Sequence, residues 1–406
     1  MQMHKLKILQ IGQNYRITGG SDRYLLNLQN LLEEKGHEVI PFAANHADNI
    51  DSLWWRYFPT TIDFDKPKPK DLVKFIYSSE AASLLRKLIL DTSPDIAHLH
   101  IYYGKITASI LPVLRSAGIP IVQTLHEYKT ICSVYTAYRN GGICCDCSVG
   151  NYYRAVVRRC NRGQIARSAL STVEAYISHW LGSNDLDHYF AVSDFQRKIL
   201  LSRGMDGNKV STLHNFIDCK NISPAFGPGE YVLYFGRLEK IKGVFTLLEA
   251  SKLMPKIRFL FVGEGSARAD LSAAVKNLNL DNVSVIGFRG GKDLDDIIRN
   301  ALCVVVPSEC YETFGLTVIE SFARAKPVIA SAIGGVTEII EDGETGFLFE
   351  PGNVKQLVEI LNNFIINPQL AKSMGEHARD QVLEKFSPES HYMQLMLQYQ
   401  RLLENR

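Results

Sequence analysis

Glu312 and Glu320 frame the segment Tyr311-Glu-Thr-Phe-Gly-Leu-Thr-Val-Ile-Glu320. Carboxylates only accept hydrogen bonds, so two of them at this spacing can hold two parts of one polyhydroxylated ligand. With a helix starting near Gly315, Glu320 falls about one and a half turns in, roughly 7 to 8 Å along the axis. On spacing alone the pair serves equally well as two solvated acids. Arg237 and Lys242 lie in Phe235-Gly-Arg-Leu-Glu-Lys-Ile-Lys-Gly243. A planar guanidinium fork and a compact ammonium five residues apart suit a diphosphate, and a solvated basic loop has the same pattern. Gly19 and Gly20 precede a helix beginning at Ser21, where backbone amides can receive a phosphate or simply turn the chain. They do not form the Gly-x-Gly-x-x-Gly dinucleotide fingerprint.

A second constellation is built from sulfur. Of the eight cysteines, five fall between Cys132 and Cys160. Cys132, Cys144, Cys147 and Cys160 have a Cys-x-x-Cys core with two outlying partners, which permits a tetrahedral four-thiolate zinc site. Four thiolates leave no open position, so such a zinc would be structural. Reduced thiols or disulfides fit the same spacing, and Cys145 competes as a partner. Next to the cluster, Tyr152 to Arg167 carries five arginines and no acid, interleaved with apolar residues. That composition suits an anionic membrane surface or a lipid-linked diphosphate, and equally a solvated basic face. Lys66-Pro-Lys-Pro-Lys70 is a second basic loop.

These residues need scaffolds, and strand and helix patterns alternate in two separate runs, the mark of two parallel α/β units. The first run has strands at Lys7–Ile11, Glu38–Phe42, Ile96–Leu99 and Pro120–Leu125, and a helix over Ser21–Lys35. The second has strands at Tyr231–Phe235, Arg258–Val262, Val283–Ile286, Cys303–Val306 and Pro327–Ala330. A Pro- and Gly-bearing linker from Ile217 to Gly229 separates them. We therefore expect an α/β protein of two Rossmann-like, doubly wound domains facing across a cleft. Residues 1–216 would form the first domain and carry a Cys-rich insertion at 130–165, and residues 230–385 would form the second. A C-terminal helix within 386–406 would pack across both. Ligands in such sheets bind at the carboxyl ends of strands, where Glu312, Arg237, Lys242 and Gly19-Gly20 all fall.

At 406 residues two domains are the natural prior, and a net charge of +2 gives no drive toward nucleic acid. No apolar run approaches the ~20 residues of a membrane span. The amino terminus is too polar for a secretory leader, and the cysteine pattern does not suit a secreted disulfide framework. A cytoplasmic location is expected, with peripheral membrane contact through the arginine stretch.

Several motifs occur in one order: Gly-Arg…Lys-Gly at 236–243, Val-Gly-Glu-Gly at 262–265, Pro-Ser…Tyr-Glu-Thr-Phe-Gly-Leu…Glu at 307–320, Lys-Pro-Val-Ile-Ala-Ser at 326–331 and Gly-Gly-Val-Thr-Glu…Asp-Gly-Glu-Thr-Gly-Phe-Leu at 334–348. Together with Pro94 to His100, Thr124-Leu-His-Glu127 and His214 to Asp218, they resemble the retaining, nucleotide-sugar-dependent glycosyltransferases of family 4, with the GT-B architecture. The resemblance implies transfer of a sugar from a UDP- or GDP-type donor to a hydroxyl of a glycan, lipid-linked or small-molecule acceptor, with no cofactor required for catalysis. It places Arg237 and Lys242 on the diphosphate and Glu320 on the ribose. Glu312, with Thr313 and the backbone of Phe314, Gly315 and Leu316, meets the sugar. Phe288 and Arg289 flank the base, Gly263 completes the donor set, Gly19 and Gly20 meet the phosphates, and His126 stands near the reacting carbon. His98 and His100 are structural or acceptor-side. A nucleotide-sugar epimerase or a non-catalytic sugar-nucleotide scaffold would use the same motifs. The chain departs from the family's smaller residues at Arg324 and Lys326, both of which can face solvent.

Overall fold

The computed structural model describes residues 5–62, 69–227 and 229–404; residues 66–68 of the expected basic loop lie outside them. The chain divides into two compact units. One comprises residues 1–137, 144–214 and 391–406, and the other residues 138–143 and 215–390.

The first unit is built on β1 (Lys7–Ile11), β2 (Glu38–Phe42), β3 (Ile96–Leu99) and β4 (Ile121–Leu125). These are short, almost uninterrupted apolar runs, as strands covered on both faces require. The hairpin β5 (Tyr138–Arg139) and β6 (Gly142–Ile143) stands apart, and β7 (His188–Ala191) and β8 (Val210–Thr212) complete the sheet. All pairs are parallel, in the order β2-β1-β3-β4-β7-β8. The direction of winding reverses between β1 and β3, which opens a crevice at their carboxyl ends. The helix Gly20–Glu34 follows β1 and buries Tyr24, Leu25, Leu28, Leu31 and Leu32 on one face. It starts and ends one residue earlier than the sequence pattern indicated.

The second unit repeats the plan with β9 (Tyr231–Phe235), β10 (Phe259–Val262), β11 (Val283–Ile286), β12 (Ala301–Val306), β13 (Val328–Ser331) and β14 (Gly346–Phe349). Its parallel order β11-β10-β9-β12-β13-β14 reverses between β9 and β12. Strand β12 begins two residues before the expected Cys303, and its register against β9 shifts between Ala301 and Cys303. Both sheets match the expected class of two Rossmann-like, doubly wound units.

The hairpin Tyr138–Ile143 is grouped with the second unit, and the C-terminal helix Pro388–Glu404 is grouped with the first from His391 onward. One expectation is amended. Neither Arg324 nor Lys326 faces solvent. Arg324 Nε bonds Asp295 Oδ1 at 2.8 Å and its Nη1 donates to the Glu320 carbonyl at 2.8 Å, while Lys326 is 2% exposed.

The C-terminal helix is seated by a chain of hydrogen bonds whose direction follows from one carbonyl. The His214 carbonyl can only accept, so His391 Nδ1 donates to it at 2.8 Å. Burial holds His391 neutral, with its pKa lowered to about 4. Its Nε2 therefore accepts from the Tyr24 hydroxyl at 3.0 Å. Thr124 donates to Tyr24 and accepts from His98 Nε2 at 2.7 Å, leaving His98 Nδ1 to accept from the Tyr399 hydroxyl at 2.6 Å. Each donor in this buried run has an acceptor, which is what makes burying it tolerable.

Burial lowers the Lys326 pKa from its ordinary 10.5 to about 8. A lysine so depressed contributes its full stability only above pH 10.5 and loses it as pH falls through about 8. Lys326→Met should therefore raise stability at pH 7 by about 1 to 3 kcal/mol, and the gain should shrink between pH 8 and pH 10.5. Urea denaturation across that range checks it.

Candidate active site

The reversal in the second sheet brings two loops side by side at the carboxyl ends of β9 and β12. After β9 the chain runs through Gly236 and Arg237 to a single turn at Lys240–Lys242, then Gly243 and the helix Val244–Leu253. After β12 it runs from Pro307 to Gly315, which caps the helix Leu316–Phe322. The loops interlock. Gly243 has φ +68°, and a Cβ there would lie 1.7 Å from the Pro307 carbonyl oxygen. The Glu309 amide donates to the Ile241 carbonyl at 2.9 Å, and Thr246 Oγ1 bonds Glu309 Oε1 at 2.6 Å.

Across this junction Lys242 Nζ meets Glu312 Oε1 at 2.8 Å, with the side chains 17% and 16% exposed. Ser308 Oγ donates to the same oxygen. Burial pushes the Glu312 carboxyl up, but Lys242, Ser308 and Arg237 outweigh it and hold it below the usual range. Burial likewise pulls Lys242 down, and Glu312 with the nearby Cys310 raises it above its usual value. Both groups are therefore charged near neutral pH. Glu312 is also held by its backbone, which forms a parallel bridge with Gly334 and accepts from the Gly335 amide at 2.7 Å.

The other expected donor residues of the second unit follow strands β9 to β12 at the same carboxyl edge. Arg237 is 55% exposed and pairs with Glu239 at 3.0 Å. Gly263 ends β10 against Gly236, whose carbonyl oxygen would lie 1.9 Å from a Cβ on it. Phe288, 60% exposed, and Arg289 follow β11, two strands from β9 and so about 10 Å away, the scale of a nucleoside diphosphate. Thr313, Leu316 and Glu320 are half-buried. The Phe314 ring packs into the core against Phe386, centroids 5.7 Å apart, so only its backbone is available to a ligand.

In the first unit, Gly19 is extended at φ −170° and Gly20 opens the helix after β1. That loop is fixed by buried Asp22, which accepts from the Thr18 amide at 3.1 Å and from Asn14 Nδ2 at 3.2 Å, while Lys105 Nζ bonds Asn14 Oδ1 at 2.7 Å. His126 follows β4 with its ring half-buried and its pKa lowered to about 3 by burial. His98 and His100 are fully buried.

The same two halves appear in the family comparisons. Residues 18–221 match the model described as Glycosyltransferase Family 4, and residues 218–381 match Glycosyl transferases group 1. The chain belongs to glycosyltransferase family 4. It is 26% identical over 405 residues to N-acetyl-alpha-D-glucosaminyl L-malate synthase of Bacillus anthracis, covering 92% of each chain. It is 28% identical over 230 residues to poly(ribitol-phosphate) alpha-N-acetylglucosaminyltransferase of Staphylococcus aureus, covering 55% of this chain and 45% of that one. The chain spans about half the length of several curated relatives it matches. Among solved structures, sucrose-phosphate synthase from Thermosynechococcus elongatus superposes with a TM-score of 0.74 at 20% identity, covering 99% of this chain and 100% of that one. An Anabaena protein in complex with UDP and glucose gives 0.65 at 18% identity, covering 97% and 99%. The fold of this family 4 chain is thus GT-B.

Several residues that shape this GT-B chain carry no sequence signal as isolated letters. Ser308 and Asp22 act through short-range bonds inside loops, where no periodicity marks them. A cavity of about 520 Å³ in the first unit, lined by Asn45, His46, Asn49, Asp51 and Trp55 among others, is likewise invisible as a motif.

The four expected thiols gather about Cys147, whose pKa is pushed up to about 12 by burial and then by Cys132, Cys144, Cys160 and Asp146. All four are free thiols. The donor set suits zinc in kind, since a cation would reverse the penalty on these thiolates. The four do not form a group whose ligand atoms all lie within 4.8 Å of one another, so ligation requires the loops to close further. Two of the five arginines serve the same loop: Arg158 pairs with Asp146, and Arg154 donates to its carbonyl at 3.0 Å.

Lys242→Met should strand a buried carboxylate and lower stability by about 3 to 5 kcal/mol, with a smaller loss in the double variant with Glu312→Gln. Glu312, depressed below its ordinary 4.5, contributes stability above that pH and loses it as pH falls through its folded value. The acid limb of the pH–stability curve should therefore flatten in Glu312→Gln, as read by chemical denaturation.

Proposed function

We propose that this chain transfers a sugar from a nucleotide-diphosphate donor to a hydroxyl acceptor, with retention at the anomeric carbon. The observation that carries the reading is the buried Lys242–Glu312 pair beside Arg237 at the reversal of the second sheet. A cation held at that point, with a guanidinium next to it, suits a diphosphate at the end of a parallel sheet. Arg237 and Lys242 bind the diphosphate. Glu320 accepts from the ribose, Phe288 and Arg289 flank the base, and Gly263 lets the chain approach closely. Glu312, Thr313 and the backbone of Phe314, Gly315 and Leu316 hold the transferred sugar. Gly19 and Gly20 offer backbone amides to a phosphate, and His126 offers a ring nitrogen to the sugar.

In the chemical step the bond between the anomeric carbon and the diphosphate oxygen breaks, and Arg237 and Lys242 offset the charge that grows on the leaving group. The acceptor hydroxyl bonds the same face of the carbon, and its proton passes to the departing phosphate oxygen. No side chain has to act as a base. UDP-sugars are favoured as donors by the neighbour solved with UDP and glucose, and N-acetylglucosamine by two relatives' names. The acceptor reading draws on the cavity beside Trp55, which is 66% exposed, because an aromatic wall with Asn and Asp groups suits a sugar ring. Exposed Tyr153, Val157 and Ile165 among the arginines support a lipid-linked acceptor at an anionic surface.

The test is release of free nucleotide from UDP-glucose, UDP-N-acetylglucosamine and GDP-sugars, with water-soluble acceptors and with acceptors in anionic vesicles. Turnover with a UDP-sugar that rises with acceptor is expected, and Arg237→Ala should lower kcat about 100-fold or more. A protein that neither binds nor turns over any of these donors would falsify the reading. Altered sugar nucleotide without transfer would indicate an epimerase instead.

We also infer that the four thiols hold a structural zinc. The purified chain should carry about one zinc, and chelation or Cys147→Ser should lower its melting temperature. Metal-free protein whose melting is indifferent to chelator, with fewer free thiols than the reduced chain, would instead show disulfides.

A further inference from the structure

His126 is not an isolated imidazole. Its Nε2 lies 3.1 Å from His100 Nδ1, with the rings stacked at 5.4 Å, and His100 Nε2 lies 3.3 Å from Gln10 Nε2. The Gln10 amide nitrogen also lies 3.1 Å from the Leu25 carbonyl oxygen. That carbonyl can only accept, so the atom facing it carries protons, and an amide NH2 has two to give. One goes to Leu25 and the other to His100 Nε2. Gln10, His100 and Leu25 are all buried, and burial, reinforced by His98 and His126, holds the His100 pKa well below the usual value. His100 is therefore neutral, accepts at Nε2 and carries its single proton on Nδ1. That proton points at His126 Nε2, which must accept it. His126 is neutral in turn, so its own proton sits on Nδ1.

We propose that Gln10 and His100 are positioning residues that fix His126 as its Nδ1–H tautomer, so that whatever meets Nδ1 meets a donor and not a lone pair. The inference rests on the proposed place of His126 beside the donor sugar. A sugar oxygen is an acceptor as well as a donor, and an N–H fixed in direction selects an oxygen lone pair there, leaving the hydroxyl proton to another partner. The logic is that of a buried group orienting a working imidazole through its far nitrogen.

The tautomer is read directly by long-range proton–nitrogen correlation NMR on the full chain labelled with 15N-histidine, with His100→Asn and His126→Gln used for assignment. His126 should show a protonated Nδ1 and an unprotonated Nε2. In Gln10→Glu an acceptor-only carboxylate faces His100 as well as the Leu25 carbonyl, so the melting temperature should fall, and in the folded variant both rings should invert and nucleotide release from UDP-glucose should drop roughly 10-fold or more. If that variant does not fold, Gln10→Met, which only removes the donor, should give His126 as a mixture of tautomers. An Nε2–H His126 in the native chain, or rings unchanged in the folded Gln10 variant, overturns the proposal. Native turnover in His126→Ala would instead sink the sugar-side reading and leave the tautomer result standing.

Discussion

A lysine and a glutamate withdrawn from water at the end of a parallel sheet can stay charged only by facing each other. Lys242 and Glu312 do so, and much of the second unit's carboxyl edge is arranged around that requirement. The lysine arrives on the loop after β9 and the glutamate on the loop after β12, 70 residues later in sequence. Their meeting therefore depends on the crossover order that makes those two strands neighbours. It also depends on Gly243, because any side chain there would strike Pro307 and part the loops. Ser308 and the bridge to Gly334 then hold the carboxylate from two further directions. A buried ion pair is weak evidence for stability in itself, since desolvation consumes most of the attraction. Its value here is placement, with charge fixed where the sheet topology opens a crevice.

Part of the first unit solves a related problem without charge. Behind the C-terminal helix and His126 its buried polar groups are imidazoles, hydroxyls and the Gln10 amide, and burial keeps the histidines neutral. A neutral imidazole has one donor and one acceptor, so a chain of them has a direction, and one acceptor-only carbonyl at its end decides every bond along it. The His214 and Leu25 carbonyls play that part in two separate runs. One run seats the C-terminal helix, and the other reaches His126.

The sequence read well where a residue's role is local and poorly where it depends on what lies opposite. Strands β1, β2, β3, β9 and β11 were legible to the residue, because a buried parallel strand must be an apolar run of four or five. Strands β7, β8 and β14 were not, since three or four residues beginning with His188, Val210 or Gly346 carry too little contrast. The expected locations of Glu312, Arg237 and Lys242 at carboxyl ends followed from strand placement, and the structure puts them there. That Lys242 is the partner of Glu312 could not be read, because it rests on strand order. Arg324 and Lys326 looked like surface residues for the same reason: Asp295, which holds Arg324, lies 29 positions away. The histidines stood out as letters, but the sense of their bonds is a property of the carbonyls around them.

The pairing of Lys242 with Glu312 bears on the proposed chemistry in one more way. An ammonium reserved for a diphosphate but left alone in a buried site would lose its proton or recruit water, and binding would then have to reverse that. Glu312 keeps Lys242 charged and in place before any ligand arrives, and one of the ammonium's three donors satisfies the pair while the other two remain to be shared. On the proposed reading a diphosphate would meet a cation whose desolvation has already been offset, which is the condition under which electrostatic stabilisation of a leaving group is strongest. By the same argument Glu312 need not be a base: a carboxylate held below its usual pKa by a lysine, a serine and an arginine is a poor proton acceptor at neutral pH and a good fixed charge.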